Sequence, residues 1–181
     1  DLYVLFRAGA DLVQRSVSSS LYPCKHPKQR QSRRGGVVKA LKNGVIVEEI
    51  SDADSDELKA FHGMLVCVLD ERHKTSPVHS YEEMRLLTKK FPEEIMLCVA
   101  KYQGEIVAGS WVFVTPAVVH TQYLAVSDMG KKLGAGDLLI DWLISARFRT
   151  SVFFDFGIST ENGGGVLNQG LIFEKEGFGA R

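Results

Sequence analysis

Apolar and polar positions along this chain fall into two rhythms. Short runs with a two-residue alternation mark strands at "VIVEEI" (45–50), "IMLCVAKY" (95–102), "EIVAGSWVFVT" (105–115), "AVVHTQYLAV" (117–126) and "VFFDFGI" (152–158). Gln103-Gly104 between two of them is a tight hairpin signal. Apolar residues at helical spacing follow Ser and Asp caps in "SDADSDELKAFHGMLVCVLDERH", through Leu58, Phe61, Leu65, Val68 and Leu69. "SYEEMRLLTKKF" (80–91) predicts a second helix, with Ser80 and Glu83 spaced as a capping box. Ala135 to about Arg149 predicts a third, with an apolar face of Leu139, Trp142, Leu143 and Ala146. "RQSRRGGVVKALKNG" predicts a short basic helix stopped by Asn43-Gly44. "SSSLYPCKHPK" reads as loop, and "ENGGGVLNQGLIFEKEGF" (161–178) as loop and then a short helix ending at Gly177.

The order is strand, helix, helix, three strands with hairpin links, helix, strand, helix. An antiparallel meander followed by a crossover helix implies an α/β (α+β) fold, a mixed, mostly antiparallel sheet flanked by helices. A length of 181 residues suits one ordinary domain plus an extra segment, and 45% hydrophobic residues are ordinary for a globular chain. The net charge of zero hides an asymmetry: from Leu12 to Val47 there is no acidic residue but eight basic ones, Arg15, Lys25, Lys28, Arg30, Arg33, Arg34, Lys39 and Lys42. This stretch is either a solvated connector or linker helix, or a contact for a phosphate-rich partner such as tRNA or a lipid head group. Cys24, Cys67 and Cys98 are widely spaced and odd in number, which points to reduced thiols, a cytoplasmic setting and no metal site. No apolar run approaches a membrane span. His26, His62, His73 and His79 form no metal-binding spacing, and no catalytic metal is expected.

"DMGKKLGAGDLL" (128–139) sits between the fourth meander-side strand and a helix. A strand leading through a Gly-rich loop into a helix is an anion site, because the first turn offers free N–H groups and the positive end of the helix dipole. Lys131 and Lys132 add charge, although such loops are also common as plain turns.

With the element order, "KKLGAG" resembles the R/Q-x-x-G-x-G/A loop by which GNAT acyltransferases bind the pyrophosphate of acyl-CoA, with Lys131 at the Arg/Gln place and Gly134 and Gly136 at the small places. "LIFEKEGFGAR" resembles the family's closing helix, with Phe173 where a tyrosine often acts as acid. "HTQYLAVSD", "FFDFGISTENGG" and "LNQGLIFEKEGFGAR" resemble the bacterial FemAB/FemX-related branch. The resemblance covers residues 28–181 and implies that residues 1–27 are the remnant of a preceding GNAT-like half or a linker, and that a last strand is missing.

The resemblance implies acetyl-CoA or another acyl-CoA as co-substrate, held by the backbone of Leu124, Ala125 and Val126 and by Lys131, Lys132, Leu133, Gly134, Ala135 and Gly136. Its alternatives to this first reading are aminoacyl transfer from charged tRNA to a cell-wall precursor, with the basic segment 25–42 as the tRNA contact, or a non-catalytic half. The acceptor is a small-molecule amine or a cell-wall precursor.

His120 is either a structural histidine or the base, since its ordinary pKa suits neutral pH. Alternation places His120, Gln122 and Leu124 on one face and Thr121 and Tyr123 on the other. Asp155, between Phe154 and Phe156, is a carboxylate in an apolar strand and needs a partner. Tyr123 is a candidate acid, Glu161 a further catalytic candidate, and Gln122, Asn162 and Asn168 are candidate substrate contacts.

Overall fold

In the computed structural model, which describes residues 2–25 and 27–181, the alternating segments pair into one six-stranded sheet of order β1-β6-β5-β4-β3-β2. The strands are β1 (Ser18–Leu21), β2 (Ile46–Ile50), β3 (Ile95–Tyr102), β4 (Glu105–Val114), β5 (Val118–Val126) and β6 (Phe153–Ile158). Every neighbour pair is antiparallel except β5 with β6. The sheet is thus a mixed, mostly antiparallel one, and its one parallel pair is where the crossover helix returns the chain.

Helices cover both faces: α2 (Gln31–Lys42), α3 (Asp56–His73), α4 (Tyr81–Lys90), α5 (Asp128–Leu133), α6 (Ala135–Trp142) and α7 (Gln169–Glu176), while α1 (Leu2–Arg7) is exposed along its length. Even positions of β3 (Met96, Cys98, Ala100) pack with Leu139, Leu143 and Phe154 under α2 and α6. Odd positions (Ile95, Leu97, Val99) pack with Leu58, Phe61, Leu65 and Met84 under α3 and α4. The period of two in the strand and of 3.6 in the helices therefore both end in burial.

The caps behave as their residue types require. Ser80 Oγ accepts from Glu83 N at 3.2 Å while Ser80 N donates to Glu83 Oε2 at 2.8 Å. Gln103 (φ 52°) and Gly104 (φ 87°) turn the β3–β4 hairpin with the two positive φ angles that tight hairpins favour.

Four expectations change. "SSSLYPCKHPK" is not all loop: Ser18–Leu21 form β1, which lies antiparallel on β6 and buries Leu21 to 3% exposure. Three serines carry little strand signal, and tertiary pairing overrides it. The Gly-rich stretch is the short helix α5, not an open loop, because Ser127 Oγ caps it by accepting from Gly130 N at 3.1 Å. The following helix is α only to Trp142; a π-type turn over Leu143–Arg147 rotates the face, so Ile144 and Phe148 are buried and Ala146 is exposed. Residues 160–167 hold a small hairpin, β7 (Thr160–Glu161) with β8 (Val166–Leu167), where a loop was expected.

Candidate functional site: a cleft where two strands part

β5 and β6 pair only at Val118–Phe153, Val119–Phe154 and His120–Asp155 and then diverge. Each carries an extra residue at the point of parting. On β5, Trp111 of β4 faces Tyr123 while Val112 faces Thr121, which leaves Gln122 unpaired as a bulge. On β6, Ser20 of β1 faces Asp155 while Ser18 faces Ile158, so three steps of β6 oppose two of β1; Gly157 supplies φ 76° there. Bulges bend their strands, and two of them at one level open the gap.

The gap holds two lobes of about 270 and 420 Å³ that share Arg72, Leu124, Val126, Ile140, Glu174 and Phe178. The smaller lobe lies at the start of α6 and is basic. Arg33, Arg72 and Lys131 line it, opposed by Asp137 and Glu174. Arg33 Nη1 donates to Asp137 Oδ1 at 2.9 Å, Arg72 Nη2 donates to the Val126 carbonyl at 3.1 Å, and Lys131 Nζ donates to Asp128 Oδ1 at 2.7 Å. The Lys131 contact holds the Asp128 carboxyl below its ordinary range. Arg33 Nε is buried without a hydrogen-bond partner among the described residues. An orphan guanidinium donor, two further cations and a helix start fit a phosphate-bearing ligand.

The larger lobe is mostly apolar, walled by Leu65, Val68 and Leu69 of α3, Phe156 and Ile158 of β6 and Leu171 of α7. Its one buried charge is Lys175, 8% exposed. Lys175 Nζ donates to the carbonyls of Gly157 and Ile158, each at 2.9 Å, and to Ser159 Oγ at 2.8 Å. Burial pushes its pKa below the ordinary lysine value, partly countered by the Asp155 and Glu174 carboxylates. A fixed ammonium in a low-dielectric wall stabilises negative charge that develops near it. Sequence reasoning missed Lys175. The available signal was its spacing: in "LIFEKEGF" it lies four residues after Leu171 and three before Phe178, both of which line the same cleft.

The expected donor-binding residues divide. Val126 presents its carbonyl to the open edge, where Arg72 takes it, and alternation gives Leu124 the same edge. Tyr123 and Ala125 turn their backbone toward β4, as the bond from Ser110 Oγ to the Tyr123 carbonyl at 3.0 Å requires. Lys131, Gly134 and Gly136 line the basic lobe; Lys132 is exposed and is not on its wall, and Leu133 and Ala135 are core side chains. The glycines answer to packing as well as to any ligand. Gly134 has φ 79°, and a Cβ there would come within 2.4 Å of the Gly36 carbonyl oxygen on α2. A Cβ on Gly136 would meet Val126 Cγ2 at 2.9 Å.

The catalytic candidates divide too. His120 and Asp155 are brought together: Nδ1 lies 2.7 Å from Asp155 Oδ2, at the last paired step before the strands part. The Gln122 bulge changes the expected faces. Tyr123 lies with Trp111 and Phe113 in the cluster under α3 and α4, and Phe113 faces His120, so Tyr123 and His120 share a side. Gln122 lines the larger lobe. The Tyr123 hydroxyl is engaged by His79, 2.8 Å from its Nδ1 and 3.2 Å from its backbone N, so it anchors the segment before α4. Glu161, Asn162 and Asn168 do not line the cleft: Asn168 caps α7 by accepting from Leu171 N at 2.9 Å and donates to Glu161 Oε1 at 2.7 Å. Phe173 is 63% exposed under the Arg30 guanidinium, 4.2 Å from its ring centre, so a tyrosine there would also point away from the cleft. Among the described residues no group of three His, Cys, Asp or Glu side chains is placed to hold a metal; His26 and the His73 side chain lie outside what is described.

A sheet split at its single parallel pair, with a basic lobe at a helix start and an apolar lobe in the gap, defines a GNAT-type fold. Residues 27–162 match the family described as Acetyltransferase (GNAT) domain, and the chain belongs to that family. Among solved structures it is similar to FemX, at 13% identity and a TM-score of 0.73 over 99% of this chain and 65% of that one. It is also similar to L-PGS from Bacillus licheniformis, at 15% identity and a TM-score of 0.68 over 97% of this chain and 60% of that one. A GCN5-related N-acetyltransferase from Kribbella flavida matches at 13% identity and a TM-score of 0.55, over 99% of this chain and 59% of that one. This chain thus spans about 60–65% of these proteins' lengths, and at such identities the likeness is one of fold. A search of curated proteins returned no match.

Proposed function

We propose that the chain transfers an acyl group from an acyl-CoA, in the simplest case acetyl-CoA, to an amine. The observation that carries this reading is one cleft with two adjoining chemistries: a basic lobe at the α6 start, and an apolar lobe reaching the β5 open edge. Arg33, Arg72 and Lys131 would hold the pyrophosphate, and the Leu124 N–H would pair the acyl carbonyl. The bound donor supplies the activated thioester. Lys175 stabilises the negative charge that passes from carbonyl oxygen to leaving sulfur, without giving up a proton. His120, oriented by Asp155, takes the proton of the attacking amine as the C–N bond forms and the C–S bond breaks. Gln122, freed from strand pairing, is placed to meet the acceptor, a small-molecule amine or a cell-wall precursor. The unpaired Cys24, Cys67 and Cys98 fit a cytoplasmic setting.

Calorimetry with acetyl-CoA and with acetyl-pantetheine tests this. Saturable binding of acetyl-CoA, weakened at least tenfold in acetyl-pantetheine and in Arg72→Glu, is expected. No heat with millimolar acetyl-CoA overturns the reading.

A second reading, aminoacyl transfer from charged tRNA, is favoured by the exposed Arg34, Lys39 and Lys42 on α2, which make no ion pair among the described residues, with Lys25 and Lys28 before them. It requires salt-sensitive tRNA binding that falls in an Arg34→Glu, Lys42→Glu variant. Failure of both donors to bind would leave a GNAT-like half with a scaffold role.

A further inference from the structure

The His120–Asp155 pair has a third member on a different strand. Ser18 of β1 donates its hydroxyl hydrogen to Asp155 Oδ1, while Oδ2 faces His120 Nδ1 at 2.7 Å. The three residues come from β1, β6 and β5, which lie side by side in the sheet. We propose that Ser18 is a positioning residue for this pair: it fixes the Asp155 carboxylate so that the His120 ring keeps its proton on Nδ1 and offers the Nε2 lone pair to the acceptor amine. This rests on the reading of His120 as the base.

The β1–β6 ladder places the contact. Ser20 pairs with Asp155, and Ser18 pairs with Ile158, one residue further along β6 than simple antiparallel register would give. Ser18 and Ser20 share a face of β1, so the Ser18 hydroxyl reaches the Asp155 carboxylate from the diagonal position. Gly157 lies beside the imidazole, and a Cβ there would make ordinary contact with His120 Cε1 at 3.4 Å, so the glycine answers to its positive φ. Its carbonyl accepts from Lys175 at 2.9 Å. Lys175 lines the larger lobe, whereas His120 and Asp155 line neither lobe and sit at the last paired step of β5 and β6, beside the point of parting.

Among the described residues Asp155 is the ion-pair partner of His120, and Lys175 is near enough to Asp155 to feel its charge. With both carboxylate oxygens engaged, Asp155 has little freedom to rotate, so the imidazole is held in one tautomer. His120 keeps 34% of its side chain open, so a proton taken on Nε2 from the amine passes on to water, and the ring returns to its starting form. Ser18 lies outside the matched residues 27–162, so the pair is completed by a segment that the family match does not include.

The test compares Ser18→Ala with Ser18→Thr in the full chain. Nitrogen NMR of the neutral His120 ring, which needs no substrate, is expected to show one Nδ1-protonated tautomer in the wild type and in Ser18→Thr, and a mixture in Ser18→Ala. With acetyl-CoA and the best acceptor among simple primary amines, kcat is expected to fall about tenfold in Ser18→Ala with KM unchanged, and to return in Ser18→Thr. Wild-type ring signals in Ser18→Ala overturn the proposal, whatever the enzyme's substrate. So does a loss that Ser18→Thr fails to restore, which would mark a packing role. Full kcat in His120→Ala overturns instead the reading of His120 as base.

Discussion

At the scale of single residues, two buried ionisable groups behave oppositely. Cys98 is 0% exposed on β3, and burial pushes its thiol up to about 12. Cys24 and Cys67 are exposed. A disulfide-based thiol reagent at pH 8 is therefore expected to titrate two cysteines in the native protein and the third only in denaturant. Three fast equivalents would show that β3 opens readily. Lys175 is displaced the other way, below the ordinary lysine value of 10.5. The unfolded chain then holds that proton more tightly than the fold does, so its burial costs stability below the lowered value, and the cost fades as pH rises toward 10.5. Lys175→Met leaves the carbonyls of Gly157 and Ile158 without their donor, at about 1–3 kcal/mol. Its deficit against the wild type is expected to grow between pH 7 and pH 10, as urea midpoints at the two values would show; a constant deficit means that Lys175 is not displaced.

At the scale of elements, what the sequence announces is what local chemistry decides. The capping box at Ser80, the two-residue turn at Gln103-Gly104 and the strands at 95–102 and 105–115 needed nothing beyond near neighbours. What it does not announce depends on partners far along the chain. β1 exists because β6 offers an edge, and the tyrosine-bearing half of β5 reverses its faces because one residue, Gln122, is left over against β4. The His120–Asp155 contact was half visible, as a lone carboxylate between two phenylalanines, but nothing in the spacing named Ser18 as its other partner.

The same division sets the cost of changes. Ser80→Ala removes one local cap and is expected to cost about 1 kcal/mol by thermal melting. Gly134→Ala meets both a positive φ and the α2 backbone, and is expected to cost about 2–4 kcal/mol. Gly136→Ala presses only on a valine methyl and is expected to cost less. Equal costs at 134 and 136 would mean that α2 does not bear on the α5–α6 junction as the structure has it.

At the scale of the whole molecule, the sheet and its core extend beyond the family match. Residues 27–162 include five of the six sheet strands and the α2–α6 layers, but not β1 or α7. Leu21 at 3% exposure, and Phe178 and Ala180 at 3% each, belong to the same core cluster as Phe154, Phe156 and Leu139. Ser20 and Arg181 exchange two backbone hydrogen bonds, at 3.0 and 2.9 Å, so Arg181 lies along β1. A fragment cut at 27 and 162 would expose Phe156 on one side and leave β6 as a bare edge, a strand with unpaired backbone groups. Losing Leu21 and Phe178 from the core, at about 1.5–3 kcal/mol each, removes an amount comparable with the whole stability of a marginal domain. That fragment is expected to melt without a cooperative transition and to bind an exposed-surface dye at 25 °C. The full 181 residues are expected to give one sharp transition by calorimetry. If the fragment keeps a sharp transition within a few degrees of the full chain, β1 and α7 are appended to a self-sufficient sheet. The cleft wall that α7 supplies through Leu171, Glu174 and Lys175 would then assemble after the fold rather than with it.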